Sequence, residues 1–420
     1  MNNQKITPQT LKGFRDFLPK EAINRQYLIS KIKAVFERFG FDPLETPALE
    51  YAEILLGKYG DEADKLLYLF EDRGKRKVGL RYDQTVPLAR VIAQYNNQIT
   101  FPFKRYQIQP VWRAENTQKG RYREFLQCDV DIIGSNSVNS DVEIIAVADT
   151  ILKELGFKKY SIKFNSREVL FEKISQAGVP DNLIVLVIRI IDKIKKIGWA
   201  NAKKELTDIN GLSEKNVSSL SDLFSLWETV QPIEGKNMQK IWNLCNKRDV
   251  RLTWDLTLAR GLDYYTGLIF EIEIDDYLGG SICGGGRYDK LIGKFINQEY
   301  PAVGFAIGFD RLIDAMQQFN LLPKKNTSTK VLVTVFSEDL LEKSLIITTK
   351  LRNNSINADI IDDFKLDKQL KYANKKGIPY VVIIGPEETS KNVVKLKNMK
   401  TGEQKTLTIE ELVKQLSIKT

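Results

Sequence analysis

A chain of 420 residues is long enough for two or three domains and a sizeable core, and its ordinary globular composition carries a net charge of +9, a balance that favours an anionic partner. It contains no histidine, which excludes imidazole general bases, histidine metal sites and every histidine-dependent triad, and turns attention to positioning and electrostatics. Cys128, Cys245 and Cys283 form no CxxC pair, the N-terminus MNNQKITPQT is polar and the apolar run LIVLVI (183–188) is short, so a disulfide framework, a thiolate zinc centre, a signal segment and a membrane span all lack support and a reducing cytoplasm fits best.

In chain order, GFRDFLP (13–19) reads as a structured loop with Pro19 at the head of a helix. From about Glu21 to Phe39, Ile23, Tyr27, Leu28, Ile32, Val35, Phe36 and Phe39 recur at helical spacing, and Gly40 ends the run. FDPLETPALEY (41–51) is extended, and its two prolines suit a sheet edge or an interface. KLLYLF (65–70) and KVGLRY (77–82) read as paired strands. They lead to RYDQTVPLAR, where Asp83 and Thr85 precede a helix from about Pro87 to Tyr95 as caps do.

The stretch 104–134 carries the densest chemistry. Two strands, about Lys104–Trp112 and Arg121–Ile133, flank a polar loop. Period two places Arg123, Phe125, Gln127, Asp129 and Asp131 on one face, while Arg113 and Arg121 offer planar forks for phosphate or carboxylate oxygens. Such a face fits a polar ligand, or a solvated hairpin whose charges pair among themselves.

A helix over about 141–155 and a strand over 160–165 follow. Residues 167–250 are lysine-rich and helical in period, an insertion between two halves of one sheet, which resumes near Arg251. Arg260, Asp263, Tyr264 and Tyr265 lie at a glycine-flanked bend. LGGSICGGGRYDKLIG is not a Walker loop; taken alone it reads as a flexible hairpin, although its glycines also suit close approach of a ligand or another backbone. AVGFAIGFDRLIDAM (302–316) reads as a buried strand entering a helix. Arg311 in the first turn opposes the helix dipole, which suggests an external anion. Residues 321–329 read as a linker, and 330–420 as a compact α/β domain.

The 104–134 segment resembles motif 2 of class II aminoacyl-tRNA synthetases, and WRAENTQKGRYREFLQCDVDIIG resembles its form in the histidyl-tRNA synthetases. GFRDFLP, the pair ARGLDYYTG and GGGRYD, and GFAIGFDRL as motif 3 agree, while FDPLETPALEY resembles motif 1, whose family role is dimer contact. The resemblance implies an α+β fold: a class II antiparallel sheet flanked by helices over 1–166 and 251–320, a helical insertion over 167–250, and an anticodon-binding α/β domain over 330–420. It implies a cytoplasmic homodimer, without membrane association, that joins L-histidine to ATP as the adenylate and passes it to tRNA(His). Mg²⁺ would bridge phosphate oxygens, with no resident metal site.

The same resemblance distributes roles. Arg113 would hold the α-phosphate and the substrate carboxylate, Arg121 and Arg311 the distal phosphates, and Arg260 would be the catalytic cation beside the α-phosphate. Phe125 would stack on adenine with Glu115 near its amino group. Asp131 and Tyr264 would read a neutral imidazole, one carboxylate for its N–H and one hydroxyl for its bare nitrogen, with Tyr265 and Tyr288 lining the slot. Asp83, Gln84, Thr85 and Gln127 would hold the α-amino group, and Gln118 and Lys119 would meet the tRNA acceptor end. Many bacterial relatives carry Glu where this chain has Asp83 and Asp131, so the reach here is one methylene shorter. A regulatory subunit of ATP phosphoribosyltransferase, a sensor of uncharged tRNA and a prolyl enzyme are the rival readings, and the retained arginines and histidine-type blocks argue against them.

Overall fold

The computed structural model describes residues 7–57, 64–117, 120–225, 232–259, 264–361 and 363–417. Gln118, Lys119, Arg260 and Asp263 lie outside the described residues. The chain divides into two units, one of Leu28–Leu321 with the chain up to Asp16, the other of Leu322–Thr420 with Phe17–Tyr27.

The strands of the first unit are β1 (Asp42–Pro43), β2 (Leu49–Tyr51), β3 (Leu69–Glu71), β4 (Lys77–Leu80), β5 (Phe103–Trp112), β6 (Glu124–Ile133), β7 (Tyr160–Ser166), β8 (Leu252–Trp254), β9 (Leu268–Ile274), β10 (Cys283–Arg287) and β11 (Ala302–Gly308). Eight of them form a sheet in the order β1-β5-β6-β11-β10-β9-β7-β8. It is antiparallel except where β1 lies beside β5 and β7 beside β8. β1 sits at the edge, where Pro43 removes no interior ladder bond. β2, β4 and β3 make a separate small sheet, in which the strand Leu69–Glu71 overlaps the expected 65–70 strand only at Leu69 and Phe70.

Helix Pro19–Arg38 buries Leu28, Ile32, Val35 and Phe36, one stripe of the expected amphipathic pattern. Gly40 follows with φ 76°, a left-handed conformation that glycine adopts without Cβ strain. The next long helix, Thr85–Tyr95, starts earlier than its sequence pattern suggests, because the Asp83 carboxylate accepts from the Val86 N–H at 3.0 Å and caps the first turn.

Among the described residues between β7 and β8 run the helical segments Arg167–Gln176, Asp181–Ile191, Ile194–Thr207 (kinked at Gly198), Glu214–Phe224 and Lys236–Asn246. Their apolar stripes, including Leu170, Ile174, Ile188, Ile191 and Leu220, join one core with Ile133 of β6, Ile269 of β9 and Ala302 of β11. Burial of each such side chain contributes about 1.5–3 kcal/mol, enough to seat the insertion on the sheet.

The glycine-rich stretch does pair back on β9 as a hairpin, but the expected flexibility is corrected. Cys283–Arg287 is an interior strand between β9 and β11 with all five residues buried. A Cβ on Gly285 would lie 2.1 Å from the Gly304 carbonyl oxygen, and one on Gly286 2.3 Å from that of Leu268. These glycines therefore permit close packing of three strands, and their lack of side chains is not a sign of mobility.

In the second unit, β12 (Val331–Val333), β13 (Ala358–Ile360), β14 (Tyr380–Ile383), β15 (Val394–Asn398) and β16 (Gln404–Leu407) form a sheet in the order β13-β12-β14-β15-β16. The first three are parallel and the last two antiparallel additions. Helices Leu341–Asn353, Leu366–Lys376 and Ile409–Ser417 match the expected pattern. β16, QKTL, carries no apolar alternation, and periodicity does not reveal it.

Candidate active site

The central feature is a cleft over β6 and its neighbours, with two lobes that share Arg113, Arg121, Gln127, Gly284 and Ala306. Alternation along β6 sends Phe125 into one lobe, Asp129 and Asp131 into the other, and Gln127 into both.

The first lobe is built for anions. Arg113 donates from Nε to the Tyr82 carbonyl at 3.1 Å, and its guanidinium stacks 4.2 Å from the Tyr82 ring centroid and 5.1 Å from that of Phe125. Arg121 stands 3.5 Å from Glu115. Arg311 donates to the Ser281 carbonyl at 2.8 Å. Burial and the nearby Arg121 guanidinium hold the Arg311 pKa below its ordinary value, so two cations converge in a partly dry space. Polyanionic oxygens are the natural match.

The N-terminal loop braces this lobe. Arg15 pairs with buried Asp310 at 2.7 Å and lies 3.2 Å above the Tyr122 ring. Arg123, grouped by alternation with the cleft residues, instead donates to the Glu115 carbonyl at 3.2 Å, and its backbone N–H donates to the Gly13 carbonyl at 2.9 Å.

The second lobe is lined by Tyr264, Tyr265 and Tyr288, with Asp83, Asp129 and Asp131. Tyr264 lies 4.9 Å from Tyr265 and 6.0 Å from Tyr288, centroid to centroid. Asp131 forms an ion pair at 2.7 Å with Arg105, which is fully buried, and accepts the Tyr288 hydroxyl on its other oxygen. Burial raises the Asp131 pKa, and Arg105 and Tyr288 pull it back down. Gly304 faces Asp131 across the strand pair, and a Cβ there would sit 1.9 Å from Asp131 Oδ1, so the glycine makes room for the carboxylate. Arg105 also contacts Gln107, which donates to Gln109 and Thr46; Arg81 donates to Gln109 and to the Thr46 carbonyl.

The histidyl-tRNA synthetase family profile matches residues 13–312, and an anticodon binding domain profile matches 330–418. The chain belongs to the histidyl-tRNA synthetase family. It is 42% identical to the histidine–tRNA ligase of Wolinella succinogenes, over 95% of this chain and 96% of that one. Against the histidine–tRNA ligase of Cytophaga hutchinsonii it is 38% identical, over 97% and 99%. The crystal structure of histidyl-tRNA synthetase from Nostoc sp. PCC 7120 superposes with a TM-score of 0.82 at 32% identity, covering 98% of this chain and 99% of that one.

Measured against the family's expected residues, the cleft brings together Asp83, Thr85, Arg113, Glu115, Arg121, Phe125, Gln127, Asp131, Tyr264, Tyr265, Tyr288 and Arg311. Gln84 is not among them. It is fully buried and donates to the Gln109 and Gln127 carbonyls at 2.8 and 3.3 Å, so it ties the helix start to β5 and β6. Arg260, Gln118 and Lys119 fall outside the described residues. Sequence reasoning passed over Arg105, and it placed Asp129 on the face without a role. The signal for Arg105 was alternation on β5, where Arg105, Gln107 and Gln109 form one polar row opposite Asp131, Asp129 and Gln127.

Proposed function

We propose that this synthetase-family chain activates L-histidine with ATP as histidyl-adenylate and transfers it to tRNA(His), with the two lobes as the ATP and histidine subsites. The observation that carries this reading is the meeting of Arg113, Arg121 and Arg311 with the Asp131–Tyr288 slot in one cleft. Arg113, shared by both lobes, takes the substrate carboxylate and the α-phosphate, so it aligns nucleophile and electrophile. Arg121 and Arg311 hold the distal phosphates, while Phe125 stacks on adenine and Glu115 faces its amino group.

Arg260 supplies the fixed cation where charge develops on the α-phosphate. Asp83, Thr85 and Gln127 receive the α-ammonium, and Asp131 with Tyr264 reads the ring, flanked by Tyr265 and Tyr288. Mg²⁺ bound with ATP would neutralise phosphate oxygens, and Glu271, which lines the arginine lobe, is the carboxylate suited to face it.

In this reading 167–250 is the insertion domain and 330–420 contacts the tRNA anticodon. Gln118 and Lys119 approach the acceptor end, and two copies associate through the 41–51 segment in the cytoplasm. Pyrophosphate exchange with ATP, run with each amino acid in turn, tests the assignment. Histidine alone should drive exchange, and Arg113→Gln should lower kcat by about 10²–10³-fold. Exchange driven by proline, or none with any amino acid, overturns it.

A further inference from the structure

Asp129 and Asp131 stand two residues apart on one face of β6, and both line the tyrosine lobe. Arg105 and Tyr288 engage the two oxygens of Asp131. Asp129 differs. It is 2% exposed, and its Oδ1 is buried with no hydrogen-bond donor among the described residues. Gln107, opposite it on β5, donates to Thr46 and Gln109, and the partner on β11 is Ala306.

The charges that reach Asp129 are Arg105, Asp131, Asp83 and Arg113, with Arg81 at the far end of the β5 amide row. Burial keeps its pKa well above the usual carboxylate range; Arg105 opposes this, and Asp131 and Asp83 add to it. A buried carboxylate oxygen with no donor disfavours the charged form, and a cation brought against it would relieve that cost.

Charge counting on the proposed histidine pose leaves one place for that cation. Arg105 balances Asp131, Asp83 balances the ligand's ammonium, and Arg113 takes its carboxylate. Of the ring's two nitrogens Tyr264 takes one; because Arg105 and Tyr288 already occupy both Asp131 oxygens, the other, first given to Asp131, falls to Asp129. Resting on the histidine reading above, we propose that Asp129 holds the bound amino acid as its imidazolium: the carboxyl proton passes to the ring nitrogen, and ring and carboxylate stay as a buried ion pair. Asp129 thereby reads the basicity of the ring as well as its shape.

The chain's lack of histidine makes the test direct, since every imidazole signal from untagged full-length protein belongs to the ligand. Histidine labelled with ¹⁵N in the ring is bound and its shifts followed from pH 6 to pH 9. The imidazolium pattern is expected to persist above pH 8, whereas the free ring titrates near about 6.5. Asp129→Asn should return the ring to its neutral pattern and weaken histidine binding about ten- to hundredfold while ATP affinity holds. A wild-type complex whose ring titrates at or below the free value overturns the proposal, and that measurement needs no variant. So does an Asp129→Asn protein that binds weakly with unchanged ring shifts, the result expected if Asp129 meets the ammonium. Failure of histidine to bind, with exchange driven by another amino acid, overturns the underlying subsite assignment and this inference with it.

Discussion

Arg105 shows what one buried charge does for this site. Its guanidinium has no exposure and sits 2.7 Å from Asp131, so each ion's desolvation is offset chiefly by the other. Replacing it by methionine preserves much of the volume but leaves Asp131 with only the Tyr288 hydroxyl. Arg105→Met should cost about 3–5 kcal/mol in urea unfolding, and the double variant with Asp131→Asn should recover much of that loss. A single variant within about 1 kcal/mol of wild type would show that the pair carries no such role. The residue types were legible from the strand's alternation. Their pairing was not, because opposition of Arg105 to Asp131 depends on the β5–β6 register, which two isolated strands leave open.

At the scale of elements, β10 is the clearest case of composition with two readings. Five glycines between 279 and 286 suit either a loose turn or a strand pressed between neighbours. The Gly285 position decides it: a methyl there would meet the Gly304 carbonyl at 2.1 Å and Phe305 Cβ at 2.5 Å, and neither can yield without separating β10 from β11. Gly285→Ala is therefore expected to destabilise the protein by about 3 kcal/mol or more, beyond ordinary overpacking. A midpoint of chemical unfolding unchanged from wild type would contradict the close-packed account. By contrast β6 behaved as its period-two pattern indicates, with Phe125, Gln127, Asp129 and Asp131 all reaching the cleft. Arg123 left that row because it lies just ahead of β6, where the N-terminal loop holds it.

For the whole molecule, stability should carry a pH signature from the buried pair that joins β10 to the helix Val138–Leu155. Arg287 bonds Asp141 at 2.8 and 3.0 Å, yet burial still pushes the Asp141 carboxyl up to about 6, with Arg287 pulling the other way. The folded state thus holds this proton more tightly than the unfolded chain, whose value is 3.8. The stability it contributes is full below that value and is lost as pH rises through about 6. Between pH 4 and pH 7, wild type should lose on the order of 3 kcal/mol relative to Asp141→Asn, measured as the difference between their urea unfolding free energies. Parallel pH profiles would remove Asp141 from that role.

Sequence alone determined what nearest neighbours encode: the amphipathic stripe of helix Pro19–Arg38, the two-residue period of β6, the helical run after β7, and the motif blocks that resemble one family. It also determined that no imidazole could come from the chain. Only the tertiary structure decided that Gly304 clears space for Asp131, that Arg105 neutralises it, that Gln84 serves the backbone, and that Asp129 Oδ1 is buried without a hydrogen-bond donor among the described residues. The reason is physical. Periodicity is set by bond geometry within a few residues, whereas the meeting of positions 83, 129, 264 and 304 in one lobe depends on strand register and close packing between segments far apart in the chain.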